Sequence, residues 1–252
     1  MEKFVIIDGN NLMFRAFYAL PQLANFDAST LYESIPNFHN TPKRYNDFLK
    51  AVEEDKMGRA ASVQEEINFI KERADFYPVL IESNKAGVLP LRVSHNDTKS
   101  NNVMLDAATR TALCVIDLDT VMPGLSLYDF GDAIRFGANT AAEDEKDVSK
   151  VSLDLGLYEQ YVRGFLTSAG SSLVPEEVKL LPFSAKMMTL ECGMRFLTDY
   201  IDGDIYFKVH YPDHNLVRCH TQFALVADME LKYDEMIQIT RNAYKEICGK
   251  EF

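Results

Sequence analysis

Apolar positions in this chain form short continuous runs at a few places and helical stripes over most of the remainder. Phe4-Val5-Ile6-Ile7 is closed by Asp8-Gly9-Asn10, the pattern of a short buried strand ended by turn residues. Leu12 to Leu20 can be helical up to Pro21, and from about Asn25 the chain turns polar and irregular. Helices are expected over Tyr45–Asp55 and Arg59–Phe76; the second places Val63, Ile67, Ile70 and Ala74 on one face and stops at Pro78. Leu89 to Ser94 is a short extended run and Val103 to Leu105 another. The polar turn Asp106 to Arg110 joins the latter to Ala112–Ile116, which predicts a β-hairpin. Beyond it the pattern is helical: Leu157–Thr167, then Phe183–Ile201 with Phe183, Met187, Leu190, Met194, Leu197 and Ile201 on one stripe. Asp202-Gly203-Asp204 breaks that stripe, and a long segment from about Asn215 to Ile247, interrupted near Lys232, closes the chain. The expected class is therefore α+β, a mostly helical lobe with an embedded β-hairpin.

Composition changes this picture little. The 252 residues are 47% apolar and 25% charged, which is ordinary for a globular chain and excludes global disorder, collagen or a disulfide scaffold. A net charge of −12 argues against a broad nucleic-acid footprint but leaves room for a local anion site. No apolar run reaches the ~18 residues of a transmembrane helix, and the start is too short for a signal-peptide core. Cys114, Cys192, Cys219 and Cys248 form no CxxC pair and fit reduced thiols in a cytoplasmic protein. His210, His214 and His220 have metal-like spacing, but Pro212 interrupts the helix such a site would need.

The chemistry is concentrated between residues 95 and 132. His95-Asn96-Asp97-Thr98-Lys99-Ser100-Asn101-Asn102 places an Asn five residues after an Asp, with a His two before it. Ile116-Asp117-Leu118-Asp119 follows at the end of the hairpin's second strand. Phosphoryl transfer needs one carboxylate for the proton of the attacking hydroxyl and hard oxygen ligands for Mg²⁺ on the nucleotide phosphates. The hairpin returns the chain so that Asp117 can face Asp97 and Asn102. This is the HxDxxxxN catalytic-loop pattern of kinases followed by a metal-binding Asp. Lys99 matches the lysine that steadies the transferred phosphate, or is a plain surface lysine. Asp119 supports the metal ligands or is a further ligand. His95 is expected to hydrogen-bond the loop backbone, and Asp129 to bond the loop or cap the next helix.

His95 to Asn102, Cys114 to Gly124 and Leu127 to Gly137 together resemble the aminoglycoside phosphotransferase/choline kinase superfamily, and more narrowly the N-acetylhexosamine 1-kinases. The similarity runs from about Leu31, including Ile35 to Arg44, to the C-terminus. It implies the C-terminal lobe of the protein-kinase-like fold and an ATP- and Mg²⁺-dependent transfer to the anomeric hydroxyl of N-acetylglucosamine or N-acetylgalactosamine. By the same resemblance Asp97 is the catalytic base, Asn102 and Asp117 are metal ligands, and Arg195, Tyr206 and Phe136 hold the sugar. Arg195 also sits beside a core stripe, where it can simply pair with an acid.

Two features depart from that family. The small N-terminal lobe brings a strand-borne lysine and a loop over the phosphates, and residues 30–80 read instead as helices of the larger lobe, so the N-lobe is expected to be missing. Residues Phe4 to Pro21 resemble the opening of the 5′-nuclease domain of DNA polymerase I, with Asp8 at its metal-binding position. The expected organisation is a foreign leader over 1–24 joined to a kinase-like lobe over 25–252. A sugar 1-kinase with little or no turnover in this truncated chain, a non-catalytic kinase-like binding module, and a nucleic-acid enzyme are the competing readings. The charge and the incomplete nuclease segment disfavour the last, leaving a small-molecule sugar and ATP as partners, with no nucleic acid and no membrane.

Overall fold

The computed structural model describes residues 39–252, Arg110 excepted. The leader, with Asp8, lies outside the described residues. Helix α1 (Thr41–Glu54) begins earlier than the apolar pattern indicates, because Asn40 caps it by accepting from the Lys43 N–H at 3.0 Å and Pro42 fits its first turn. The expected helix over 59–76 is divided into a 3₁₀ turn (Ala60–Val63), α2 (Gln64–Lys71) and a second 3₁₀ turn (Ala74–Phe76). The cause lies at Arg73. Its side chain takes the Phe69 carbonyl at 2.9 Å, and its backbone N–H shifts to the Ile70 carbonyl at 3.1 Å. The stripe Val63, Ile67 and Ile70 is nonetheless buried as expected. Pro78 then opens α3 (Val79–Lys85), which the pattern does not reveal.

Strands β1 (Arg92–Ser94) and β4 (Met122–Gly124) form one antiparallel pair, and β2 (Val103–Leu105) and β3 (Ala112–Val115) form the expected hairpin. The apolar pattern does not predict β4. Gly124 is needed there for close approach: a Cβ would stand 3.0 Å from the Ser94 side chain.

Helices α4 (Ser126–Gly137), α5 (Leu155–Ala169), the short α6 (Pro175–Lys179), α7 (Leu181–Asp202), α8 (His214–Leu231) and α9 (Tyr233–Cys248) complete the lobe. The break at Lys232 falls where the pattern places it. Helix α7 is the axis of the fold, packing against α8, α4 and α1. Its whole stripe from Phe183 to Ile201 is buried and divides between two apolar clusters. Gly203 ends α7 at φ 104°, a conformation that favours glycine. At Gly131 the α4 backbone meets α7 so closely that a Cβ would lie 2.5 Å from the Ser184 carbonyl oxygen. That crossing sets the α4 face carrying Asp132, Arg135 and Phe136 beside the α7 face carrying Glu191, Cys192 and Arg195, all of which line one cavity. No helix among the described residues is long and apolar enough to cross a membrane.

Candidate active site

The loop between β1 and β2 is held from below by α4. The two carboxylate oxygens of Asp129 accept the backbone N–H groups of His95 at 2.9 Å and Asn96 at 2.8 Å, and the Asp129 carbonyl accepts the Thr98 hydroxyl at 2.5 Å. Burial pushes the Asp129 carboxyl up to about 7, against the two N–H bonds that favour its ionised form. Asn96 takes a left-handed turn at φ 65°, which asparagine tolerates, and its amide reaches the Ser94 and Thr120 carbonyls. His95 is buried and structural. Its Nδ1 accepts the Asp97 N–H at 3.2 Å, so its Nε2 carries the proton and donates to the Ile116 carbonyl at 3.0 Å.

This scaffold presents Asp97 to the cavity. Lys99 Nζ pairs with the Asp97 carboxylate at 2.7 Å. Asn102 is buried and spends its amide nitrogen on the Asp97 backbone and carboxylate oxygens, leaving its carboxamide oxygen as a hard, neutral ligand. The Ile116 N–H bonds the Asn102 carbonyl at 2.9 Å, extending the hairpin by one rung. Asp117 comes next, turned at φ 62° and exposed. The two residues expected to hold a metal therefore emerge one step apart at the open end of the hairpin. Among the described residues no three His, Cys, Asp or Glu side chains gather as a closed metal cluster. An open pair of oxygen donors, completed by phosphate oxygens and water, suits Mg²⁺.

A cavity of about 470 Å³ brings together Asp97, Lys99, Phe136, Arg195 and Tyr206. Asn102 stands behind Asp97 and Asp117 lies at the surface; neither lines this cavity. Arg195 has no acidic partner among the described residues; its guanidinium lies 5.7 Å from the Tyr206 ring centre and 5.3 Å from that of Phe207. The backbone of that aromatic pair is fixed by Asp199, whose carboxylate accepts from the N–H groups of Ile205, Tyr206 and Phe207 at 2.9, 2.8 and 3.0 Å.

The charges around the cavity are unevenly matched. Asp97 is paired with Lys99, Arg135 with Asp132 and Glu143, and Glu191 with Arg44. Among the described residues Arg195, Lys208 and Arg218 have no acidic partner, in a chain of net charge −12. His39, also on the wall, is driven down to about 3 by burial and then by the Arg44 charge, so it is neutral.

A loop carrying Asp97 and braced by the following helix, Asn102 behind it and Asp117 at the hairpin's end are the arrangement expected of a kinase-like phosphotransferase. The chain belongs to the phosphotransferase enzyme family, whose pattern matches residues 19–161. That match begins inside the segment read as a leader. The fold is similar to a choline kinase from Cryptosporidium parvum Iowa II, with TM-score 0.54, 13% identity, and coverage of 94% of this chain and 66% of that one. It is also similar to a Plasmodium vivax ethanolamine kinase, with TM-score 0.53, 13% identity, and coverage of 88% and 62%. This chain thus spans just under two thirds of the length of those kinases.

Sequence reasoning missed Asp132, Arg135, Glu191 and Asp199. A signal was present for Glu191. It stands four residues before Arg195 on the mostly buried α7, so the two charges share one face of that helix. Asp132 and Arg135 likewise share a face of α4 at an i, i+3 spacing.

Proposed function

We propose that this chain carries the catalytic lobe of an ATP- and Mg²⁺-dependent kinase that phosphorylates the anomeric hydroxyl of an N-acetylhexosamine. The observation that carries this reading is the presence of Asp97, Lys99, Arg195, Tyr206 and Phe136 on one cavity. Asp97 receives the proton of the attacking hydroxyl, and Lys99, already on that carboxylate, steadies the transferred phosphoryl group. Asn102 and Asp117 would hold Mg²⁺, which when bound neutralises charge on the donor phosphates.

The cavity's charge supports a neutral acceptor over an amino alcohol. Three cations without acidic partners among the described residues disfavour a quaternary ammonium or ammonium group, whereas the guanidinium donors of Arg195 suit sugar oxygens. Phe136 and Tyr206 supply apolar surface for the face of a sugar ring. All four cysteines are free thiols, in keeping with a cytoplasmic enzyme.

No lysine lies on any of the four described strands to clamp donor phosphates. Turnover by the 252-residue chain alone is therefore expected to fall below the ~1–100 s⁻¹ of ordinary kinases. The test is ADP release with a panel of N-acetylglucosamine, N-acetylgalactosamine, choline and ethanolamine. Hexosamine-dependent release supports the proposal; release with an amino alcohol instead refutes it.

A further inference from the structure

The buried wall of the cavity holds one carboxylate that is half used. Asp132, on α4, is 7% exposed and lines the same cavity as Asp97. Its Oδ1 receives two bonds from Arg135, from Nε at 2.9 Å and Nη2 at 2.8 Å. Its Oδ2 is buried and has no hydrogen-bond partner among the described residues. Buried carboxylate oxygens are ordinarily satisfied, and one left over beside a binding cavity calls for a donor from elsewhere. Arg135 cannot turn to serve it, because its Nη1 is committed to Glu143 at 2.7 Å. The two ion pairs fix the carboxylate in place, so the acceptor is preorganised.

We infer that Asp132 is a substrate-contacting residue. Its Oδ2 accepts a hydrogen bond from a neutral donor on the acceptor molecule, a ring hydroxyl or the acetamido N–H, and so helps select which acceptor is taken. The inference rests on the hexosamine reading above and deepens it. A residue that holds one donor of the substrate discriminates strongly against the analogue lacking that donor, because the buried acceptor is then left unmatched.

The substitution Asp132→Asn inverts the contact at constant size. Arg135 offers only donors, so it selects the amide oxygen and leaves the NH₂ where the free acceptor stood. The experiment is calorimetric titration of the 252-residue chain with N-acetylglucosamine, its 3-, 4- and 6-deoxy analogues, and 2-deoxyglucose, which lacks the acetamido N–H. In the unsubstituted protein one analogue should bind about 10- to 100-fold more weakly than the parent sugar. Asp132→Asn should weaken the parent sugar by a similar factor and cost that one analogue nothing further. Equal binding of all analogues by the unsubstituted protein overturns the inference without reference to any variant's folding. So does a uniform loss across the series in Asp132→Asn; both results leave the sugar-kinase reading standing. Failure of the unsubstituted protein to bind any of these sugars overturns the inference and the reading together.

Discussion

The side-chain amide of Asn102 donates twice to Asp97, to its backbone oxygen at 2.8 Å and to its carboxylate Oδ2 at 3.0 Å. One residue thereby orients the proposed base and leaves its own oxygen free for the proposed metal. Asn102→Ala removes both. Hydrogen bonds to a charged group contribute about 1.5–3 kcal/mol, so transfer should slow by roughly tenfold to a hundredfold. The concentration of Mg²⁺ giving half-maximal rate should rise as well. Steady-state kinetics with Mg²⁺ titration checks both effects; a variant with unchanged Mg²⁺ dependence would remove Asn102 from the metal site.

Asp117 contributes a charge and makes few contacts, which separates its effect from that of Asn102. Asp117→Asn should leave folding nearly untouched, since the side chain is exposed. It should weaken metal–nucleotide binding, with partial rescue by Mn²⁺ or high Mg²⁺. The Ile116–Asn102 backbone bond joins the two positions, so the double variant should lose less than the sum of the single losses. Strict additivity in the double-mutant cycle would contradict a shared site.

Much of this arrangement is legible in the sequence, and the parts that are not have physical causes. The hairpin is readable because Val103–Leu105 and Ala112–Val115 flank a polar turn, and α7 because its stripe is long and apolar. The grouping of Asp97, Lys99 and Asn102 is readable because their spacing is local. The wall of the cavity is not. Asp132 and Glu191 reach the cavity that Asp97 lines only through the crossing of α4 over α7, which depends on Gly131 and on packing distant in sequence. The helix expected over 59–76 is divided because the Arg73 side chain competes for the Phe69 carbonyl, a contest that hydrophobic periodicity does not register.

His39 gives the fold a signed pH dependence. Its imidazole is held at about 3 in the folded chain, by burial and then by Arg44 and against Asp132, while its ordinary value is 6.5. Between those values the unfolded chain binds more protons, so this contribution is intact above about 6.5 and is lost as pH falls toward 3. From pH 7 to pH 5 it amounts to at most about 2 kcal/mol. Urea denaturation of His39→Gln should show a correspondingly shallower loss over that interval. An unaltered pH dependence would show that the acid sensitivity originates elsewhere.

Asp199 fixes the backbone that carries Tyr206 and Phe207. Asp199→Ala strands three N–H groups, those of Ile205, Tyr206 and Phe207, and should cost about 1–3 kcal/mol of stability. Sugar affinity should fall with it, because Tyr206 is 72% exposed and depends on that backbone for its position. Thermal denaturation and sugar titration of the variant check the two effects; undiminished sugar affinity would exclude the aromatic pair from the binding site.

Asp97 is the proposed base for transfer to an anomeric hydroxyl. Phosphorus NMR of a prolonged incubation with high enzyme, ATP, Mg²⁺ and N-acetylglucosamine detects even slow turnover, and coupling to the anomeric proton identifies the phosphorylated oxygen. The account predicts a sugar 1-phosphate signal that grows with the unsubstituted chain and is about 10²–10⁴-fold slower with Asp97→Asn. Phosphate appearing on another hydroxyl, or an undiminished rate in Asp97→Asn, would contradict it.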